Sequence, residues 1–219
     1  MLPLKTPRRD RDVLKGVQQA NERYISFFTQ NKFKIILNGY TGVSFEKEMN
    51  NSTVTVRLNT MGRLNETKTQ LTITISHTIN TSFAISKSIP PLWRIGLHKI
   101  NTNLNGIKAY SHDIDWGKTL VQNMKMIQFC ERFNSHTSLQ ILPHKSIYTE
   151  PVYKGKDESI LSLIDAIIAF LEFSEKLKSP KDYQPSFLQK NKTPIALTIG
   201  VLGAVLIFKL LILAYFAIQ

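Results

Sequence analysis

Residues 52–60, STVTVRLNT, and residues 67–78, TKTQLTITISHT, decide the architecture. In the first, Val54, Val56 and Leu58 occupy alternate positions between Thr and Arg; in the second, Leu71, Ile73 and Ile75 do the same between threonines. A period of two is the mark of a strand with one face on a core and the other polar. Val54, Val56 and Leu58 are therefore expected to share one face, and Leu71, Ile73 and Ile75 another. Upstream, FKIILNGYTGVSFEKEM (33–49) predicts two short strands around Asn38-Gly39, a dipeptide that tolerates the positive φ of a tight turn. Downstream, TSFAISKS (81–88) adds a strand before Pro90-Pro91 interrupts the pattern.

Helical periodicity brackets these strands. In RDVLKGVQQANERYISFFTQ (11–30), Val13, Val17, Ala20, Tyr24 and Phe28 recur every three or four residues. DWGKTLVQNMKMIQFCERF (115–133) reads as one helix with Leu120, Met124, Ile127 and Phe133 on its apolar face. Between the prolines and that helix, LWRIGLHKI and GIKAYSHDI predict a hairpin joined at Asn105-Gly106; TSLQILPHKSIYTEPVYKG (137–155) then supplies short strands. DESILSLIDAIIAFLEFSEKLK (157–178) is the strongest helix of the polar part, with Asp157 as its cap, acids in the first turn and lysines in the last. Asp165 and Glu172 interrupt its apolar run, so it reads as a core helix on a sheet rather than a membrane span. The fold class is α+β: a mostly antiparallel sheet with N-terminal, middle and C-terminal helices, followed by one C-terminal transmembrane helix.

That last element rests on composition. From Pro194 to Gln219 the only charge is Lys209. About 20 mostly apolar residues cross the roughly 30 Å of a bilayer's hydrocarbon, and Ile195 to Ile218 supplies them. The segment is apolar on every face, unlike a helix packed on one side of a core. Lys176, Lys178, Lys181, Lys190 and Lys192 precede it, and the 28 Lys and Arg of the chain exceed its 16 Asp and Glu for a net charge of +12. A second basic group, Lys5, Arg8, Arg9, Arg11 and Lys15, opens the chain without a following apolar run, so no secretory signal is visible. By the positive-inside rule the bulk of the chain is expected on the cytoplasmic side of a single-pass, tail-anchored membrane protein. The domains divide as a basic N-terminus and amphipathic helix (1–32), an α+β domain (33–178), a basic Pro-containing linker (179–193) and the anchor (194–219). Within the anchor, Ala196, Gly200 and Ala204, with Gly203 beside them, form a small-residue stripe suited to another transmembrane helix. Lys209 falls near mid-bilayer, where either a shifted or tilted helix with local water accommodates its charge or an acidic or carbonyl partner on a neighbouring helix meets it.

The search for chemistry yields little. The five histidines show no metal-binding spacing, and SHDID (111–115), with His112 between Ser111 and Asp113, reads as a polar loop capping the next helix. Cys130 is the single cysteine, so no intramolecular disulfide or thiolate zinc site is available, and near a helix C-terminus its thiol is not activated. No phosphate-cradling glycine loop, nucleophile elbow or carboxylate pair is present, and no cofactor is implied. Asn50, Asn51, Asn65, Asn80 and Asn191 begin N-x-S/T triplets, whose use would require the opposite topology. Arg57, Arg63 and Lys68 surround a turn without aromatics, which disfavours nucleic acid.

The pattern YTGVSFEKEM, GRLNETKTQLTITI and FAISKS, then a helix, a short β return and the long helix after KGKDES, resembles a loose group of uncharacterised bacterial membrane-anchored α+β domains. The likeness runs from about Gly39 to Leu177 and implies architecture alone. In that group membrane helices often precede the domain, whereas here the apolar segment follows it. The function expected from all of this is a non-enzymatic accessory or assembly subunit. Its partners would be the bilayer, other integral membrane subunits and anionic lipid headgroups. A tethered regulatory or lipid-surface domain is the alternative, and a membrane-tethered enzyme the remaining one.

Overall fold

The computed structural model describes residues 8–39, 42–63, 66–152 and 157–177. Residues 1–7 and 178–219, the latter including the expected linker and anchor, lie outside them.

Helix α1 (Arg8–Gln30) leads into a meander of four strands, β1 (Lys34–Gly39), β2 (Gly42–Met49), β3 (Ser52–Arg63) and β4 (Glu66–Ser76). Strand β5 (Phe83–Ser86) follows, then β6 (His98–Ile100) and β7 (Lys108–Ser111). Helices α2 (Ile114–Gln122) and α3 (Met124–Cys130), strands β8 (Ser138–Leu142) and β9 (Lys145–Val152), and helix α4 (Asp157–Lys176) complete the order. The strands form one sheet in the order β1-β2-β3-β4-β9-β8-β5-β7-β6, with every pairing antiparallel. β9 therefore inserts between β4 and β8, closing the first four strands onto the rest.

The alternation that signals the sheet also sets its register. Val54 lies opposite Ile75, Val56 opposite Ile73 and Leu58 opposite Leu71, and all six are fully buried. The two triplets are thus cross-strand partners on one face of one sheet. That face continues through Val43 and Phe45 on β2, Tyr148 on β9, Leu139 and Ile141 on β8, Phe83 and Ile85 on β5, and Ala109 on β7. A cross-strand pair of buried hydroxyls, Thr60 and Thr69 at 3.2 Å, extends it where the apolar run stops. The opposite face carries Thr55, Arg57, Thr72, Thr74 and Thr149 in register.

The helices pack on the apolar face. Val17, Tyr24 and Phe28 of α1 are buried at its spacing, and Phe28 stacks on Phe45 with ring centroids 4.6 Å apart. Phe27 and Phe33 meet Phe28 edge-on at 5.2 and 5.1 Å. α4 buries Ile160, Leu163, Ile164, Ile167, Ile168, Phe170 and Leu171 while Asp165 and Glu172 stay exposed, as a core helix requires. Phe129 of α3 bridges Phe170 and Tyr148, at 6.1 and 5.6 Å, so α3 and α4 converge over β9. α2 lies tightly against β7 because Gly117 has no side chain; a Cβ there would stand 2.6 Å from Ser111 Cβ.

Two readings need correction. The helix expected over 115–133 is two helices, broken where Asn123 turns to an extended conformation (φ −72°, ψ 135°) and caps α3 through Lys125 N. The break shifts the helical phase, so Met124 is exposed while Met126, Phe129 and Cys130 are buried. Asn38 and Gly39 are not the hairpin turn: they still pair with Val43 and Gly42, which moves the connection to residues 40–41. Asn105-Gly106 does lie in the β6–β7 connection, with Gly106 at φ +70°.

Pro90–Gly96 belong to a second compact unit, and the described part of it is a single 3-10 turn, Pro91–Trp93, entered through proline. Among the described residues no helix is long and apolar enough to cross a membrane.

Candidate interaction surface

Among the described residues, Cys130 and Asp113 have packing and capping roles. Cys130 is buried, its Sγ 3.4 Å from Met126 Sδ, and desolvation pushes its thiol up to about 12. His136, the next histidine along the chain, is exposed in the loop before β8, its amide bonded to Asn134 Oδ1. Asp113 caps α2: its carboxylate accepts from the amides of Asp115 and Trp116 at 3.0 and 3.1 Å, which is the capping role expected for the SHDID loop. Among the described residues no three His, Cys, Asp or Glu side chains gather as metal ligands.

One cluster was not legible in the sequence. His77, directly after β4, accepts from Ile79 N through Nδ1, while His77 N donates to His144 O and His144 N to Ile79 O. Burial lowers the His77 pKa to about 4, against a smaller opposing pull from Glu175. Glu175, in the last turn of α4, accepts from both Thr78 N and Thr78 Oγ1 at 2.8 Å. One turn earlier, Glu172 accepts from Asn50 Nδ2 at 3.2 Å. These contacts fix the end of α4 beside the β2–β3 turn and the end of β4. The last described residues, through Leu177, therefore lie at that end of the sheet.

Tyr148 is the other perturbed group. Burial, then the Glu150 carboxylate 2.7 Å away, keeps its phenol protonated, and its hydroxyl donates to Glu150. Together with the stacked rings above it, this is a packing position.

What remains is surface. Of the large apolar side chains described, the exposed ones are Ile35, Ile36, Leu37, Ile114 and Met124. Three of these are consecutive in β1, at the outer edge of the sheet, and are 39%, 47% and 46% exposed. A bulge lies among them: Ile35 faces Phe45 and Leu37 faces Ser44, leaving Ile36 as the extra residue. Ile35 accordingly lies on the helix-covered face and Leu37 on the polar one. Exposed Lys32 and Lys34 precede them, Lys32 in the left-handed conformation that starts the strand. The consecutive triplet Ile-Ile-Leu was itself the available signal, since a half-buried strand needs only every second residue apolar.

Of the site residues expected from sequence, Lys176 is exposed in the last turn of α4. Lys178, Lys181, Lys190, Lys192, Ala196, Gly200, Gly203, Ala204 and Lys209 lie outside the described residues.

No protein-family model and no curated protein matches the chain. Among solved structures, that of the mycobacterial trehalose monomycolate transport factor A, TtfA, is similar, with a TM-score of 0.50 at 10% sequence identity. The match covers 75% of this chain and 97% of that one. At this identity the likeness is one of fold.

Proposed function

We propose that this protein is a non-enzymatic accessory membrane protein whose α+β domain is held on the cytoplasmic side of a bilayer by residues 194–219. In this reading it works by docking on other integral membrane proteins. The observation that carries it is the run Ile195–Ile218, apolar apart from Lys209 and preceded by five lysines between 176 and 192. The end of α4, held by Glu172 and Glu175, is the last described part of the domain before that run. The similar fold in a protein described as a transport factor supports an accessory role over an enzymatic one, without carrying over its cargo. The buried, unactivated Cys130 and the capping role of Asp113 agree with that.

The test is purification from native membranes in mild detergent after carbonate washing. The reading expects the chain to stay with the membranes and to co-purify with a defined set of integral membrane proteins. Release by carbonate would overturn the anchor; a monomeric, partner-free protein would overturn the accessory role. In the assembly, Lys209→Leu is expected to weaken partner recovery, because Lys209 is the charge that a neighbouring helix would meet.

A further inference from the structure

We propose that the β1 edge, through Ile35, Ile36 and Leu37 with Lys32 and Lys34, lies in the headgroup region of an anionic bilayer and sets the domain edge-on to the membrane. The proposal rests on residues 194–219 being an anchor.

The geometry of the edge selects this occupant. A strand that recruits a partner strand offers a regular ladder, and a bulge disrupts it; bulges are a common device by which edges avoid such pairing. In β1 the bulge falls in the middle of the exposed apolar run, so the feature that displays Ile35–Leu37 also interrupts the ladder there. It turns aliphatic side chains to both faces of the strand, which forms a ridge rather than a flat docking face. Apolar ridges flanked by basic residues suit the boundary between headgroups and acyl chains, where the side chains enter and the ammonium groups meet lipid phosphates. Lys32 and Lys34 supply that charge at one end of the ridge. On β2, Glu46 lies directly across from Lys34, and Glu48 accepts from Thr53 Oγ1 at 2.7 Å, which leaves Lys32 as the charge with no acid opposite it in the β1–β2 register.

The chain beyond α4 makes the contact reachable. The last turn of α4 is held at Asn50 and Thr78, one and three strands in from β1, or about 5–15 Å at the spacing of a sheet. Residues 177–194 span at most roughly 60 Å when extended. The edge is therefore within reach of the bilayer that holds the anchor. Tethering also raises its effective concentration there, so a ridge of three side chains suffices where a free domain would need more.

A second copy fits less well. Antiparallel pairing of β1 with its own copy requires a two-fold axis perpendicular to the strands. The bulge at Ile36 would fall inside that pairing and interrupt its ladder in both copies.

The experiment uses the full chain in lipid nanodiscs, with a polarity-sensitive fluorophore on Ile36→Cys and a control on Met124→Cys. Cys130 is buried and stays unlabelled. Nanodiscs contain phosphatidylcholine alone or mixed with phosphatidylglycerol, each with and without headgroup-level nitroxide lipid. The label at position 36 is expected to shift to the blue and be quenched by nitroxide, more so with phosphatidylglycerol, while the label at position 124 stays water-like. Lys32→Gln with Lys34→Gln is expected to abolish the difference between the two lipids. A water-like label at position 36 in both lipids overturns the proposal, as does a blue shift without nitroxide quenching, which would place protein on the edge. Carbonate extraction of the same variant from its membranes separates the two readings: release removes the anchor and the proposal with it, whereas retention with an unquenched label removes the proposal alone.

Discussion

Replacing Phe28 with alanine is expected to remove about 3–5 kcal/mol of stability. Phe28 is fully buried, stacked on Phe45 of β2 and met edge-on by Phe27 and Phe33, so its ring is the centre of the contact between α1 and the sheet. The estimate combines loss of the ring's burial with a cavity that the two edge-on rings cannot both fill. The aromatic pairing itself accounts for about 0.5–1.5 kcal/mol of it. Phe28→Leu, which keeps most of the volume, is expected to cost roughly 1.5 kcal/mol or less beyond the lost pairing. In urea, with a slope of about 2 kcal/mol per molar, Phe28→Ala moves the midpoint down by about 1.5–2.5 M. The assay follows the full chain in detergent by far-UV circular dichroism and by tryptophan fluorescence, to which Trp116 contributes from α2, remote in the sheet order from β2. Coincident transitions that shift together show α1 to be part of one cooperative domain. A loss below about 1 kcal/mol, or an early helical transition that leaves the fluorescence midpoint in place, would refute the reasoning. It would favour the boundary between residues 1–32 and 33–178 that the sequence alone suggests.

Asp113→Ala removes the cap of α2 and is expected to cost about 1 kcal/mol, a drop in Tm of about 2–4 °C; a scanning calorimetry trace unchanged from the parent would contradict the capping role. The Cys130 thiol, raised from 9.0 to about 12, carries about a thousandfold less thiolate than an ordinary cysteine at neutral pH. Ellman's reagent should therefore label it only after denaturation, and fast labelling of the native protein would disprove that burial. His77 titrates at about 4 in the fold against 6.5 when unperturbed, so on acidification the unfolded chain takes up the proton first. Its contribution is present above pH 6.5 and is lost as pH falls toward 4, below which both states are protonated. His77→Gln should flatten stability against pH across that window, measured by urea titration at several pH values, and an unchanged slope would refute it.

The parts of the fold that could be read in the sequence are those governed by local periodicity. Val54–Leu58 and Leu71–Ile75 alternate strictly because one face of their strands is buried and the other polar, and α4 shows a helical stripe because only one side meets the sheet. Asp113 could be read because a cap is a local arrangement of one side chain and the next two or three amides. The break at Asn123 could not, since 115–133 keeps enough apolar residues for a continuous stripe and the re-phasing depends on what β9 and α4 present to Phe129. The His77–His144 contact joins residues far apart in sequence, brought together by the insertion of β9 beside β4. The β1 ridge was visible as three consecutive aliphatics, but their exposure follows from β1 being an edge, which is a property of strand order.

That strand order also has a cost in time. β1 to β4 can zip up as neighbouring hairpins as soon as residue 76 is available, but the partner of β4's other side begins only at Lys145. At the usual 5–20 residues per second, synthesis needs about 4–14 s to cover that interval. Throughout it, a nascent chain displays the unpaired edge of Thr69–Ser76, whose residues Leu71–Ile75 alternate Leu or Ile with Thr and which other chains could extend. Newborn copies of this protein should accordingly depend on being shielded during translation, and slow codons between residues 77 and 145 should lower the yield of folded protein more than the same codons placed after residue 152.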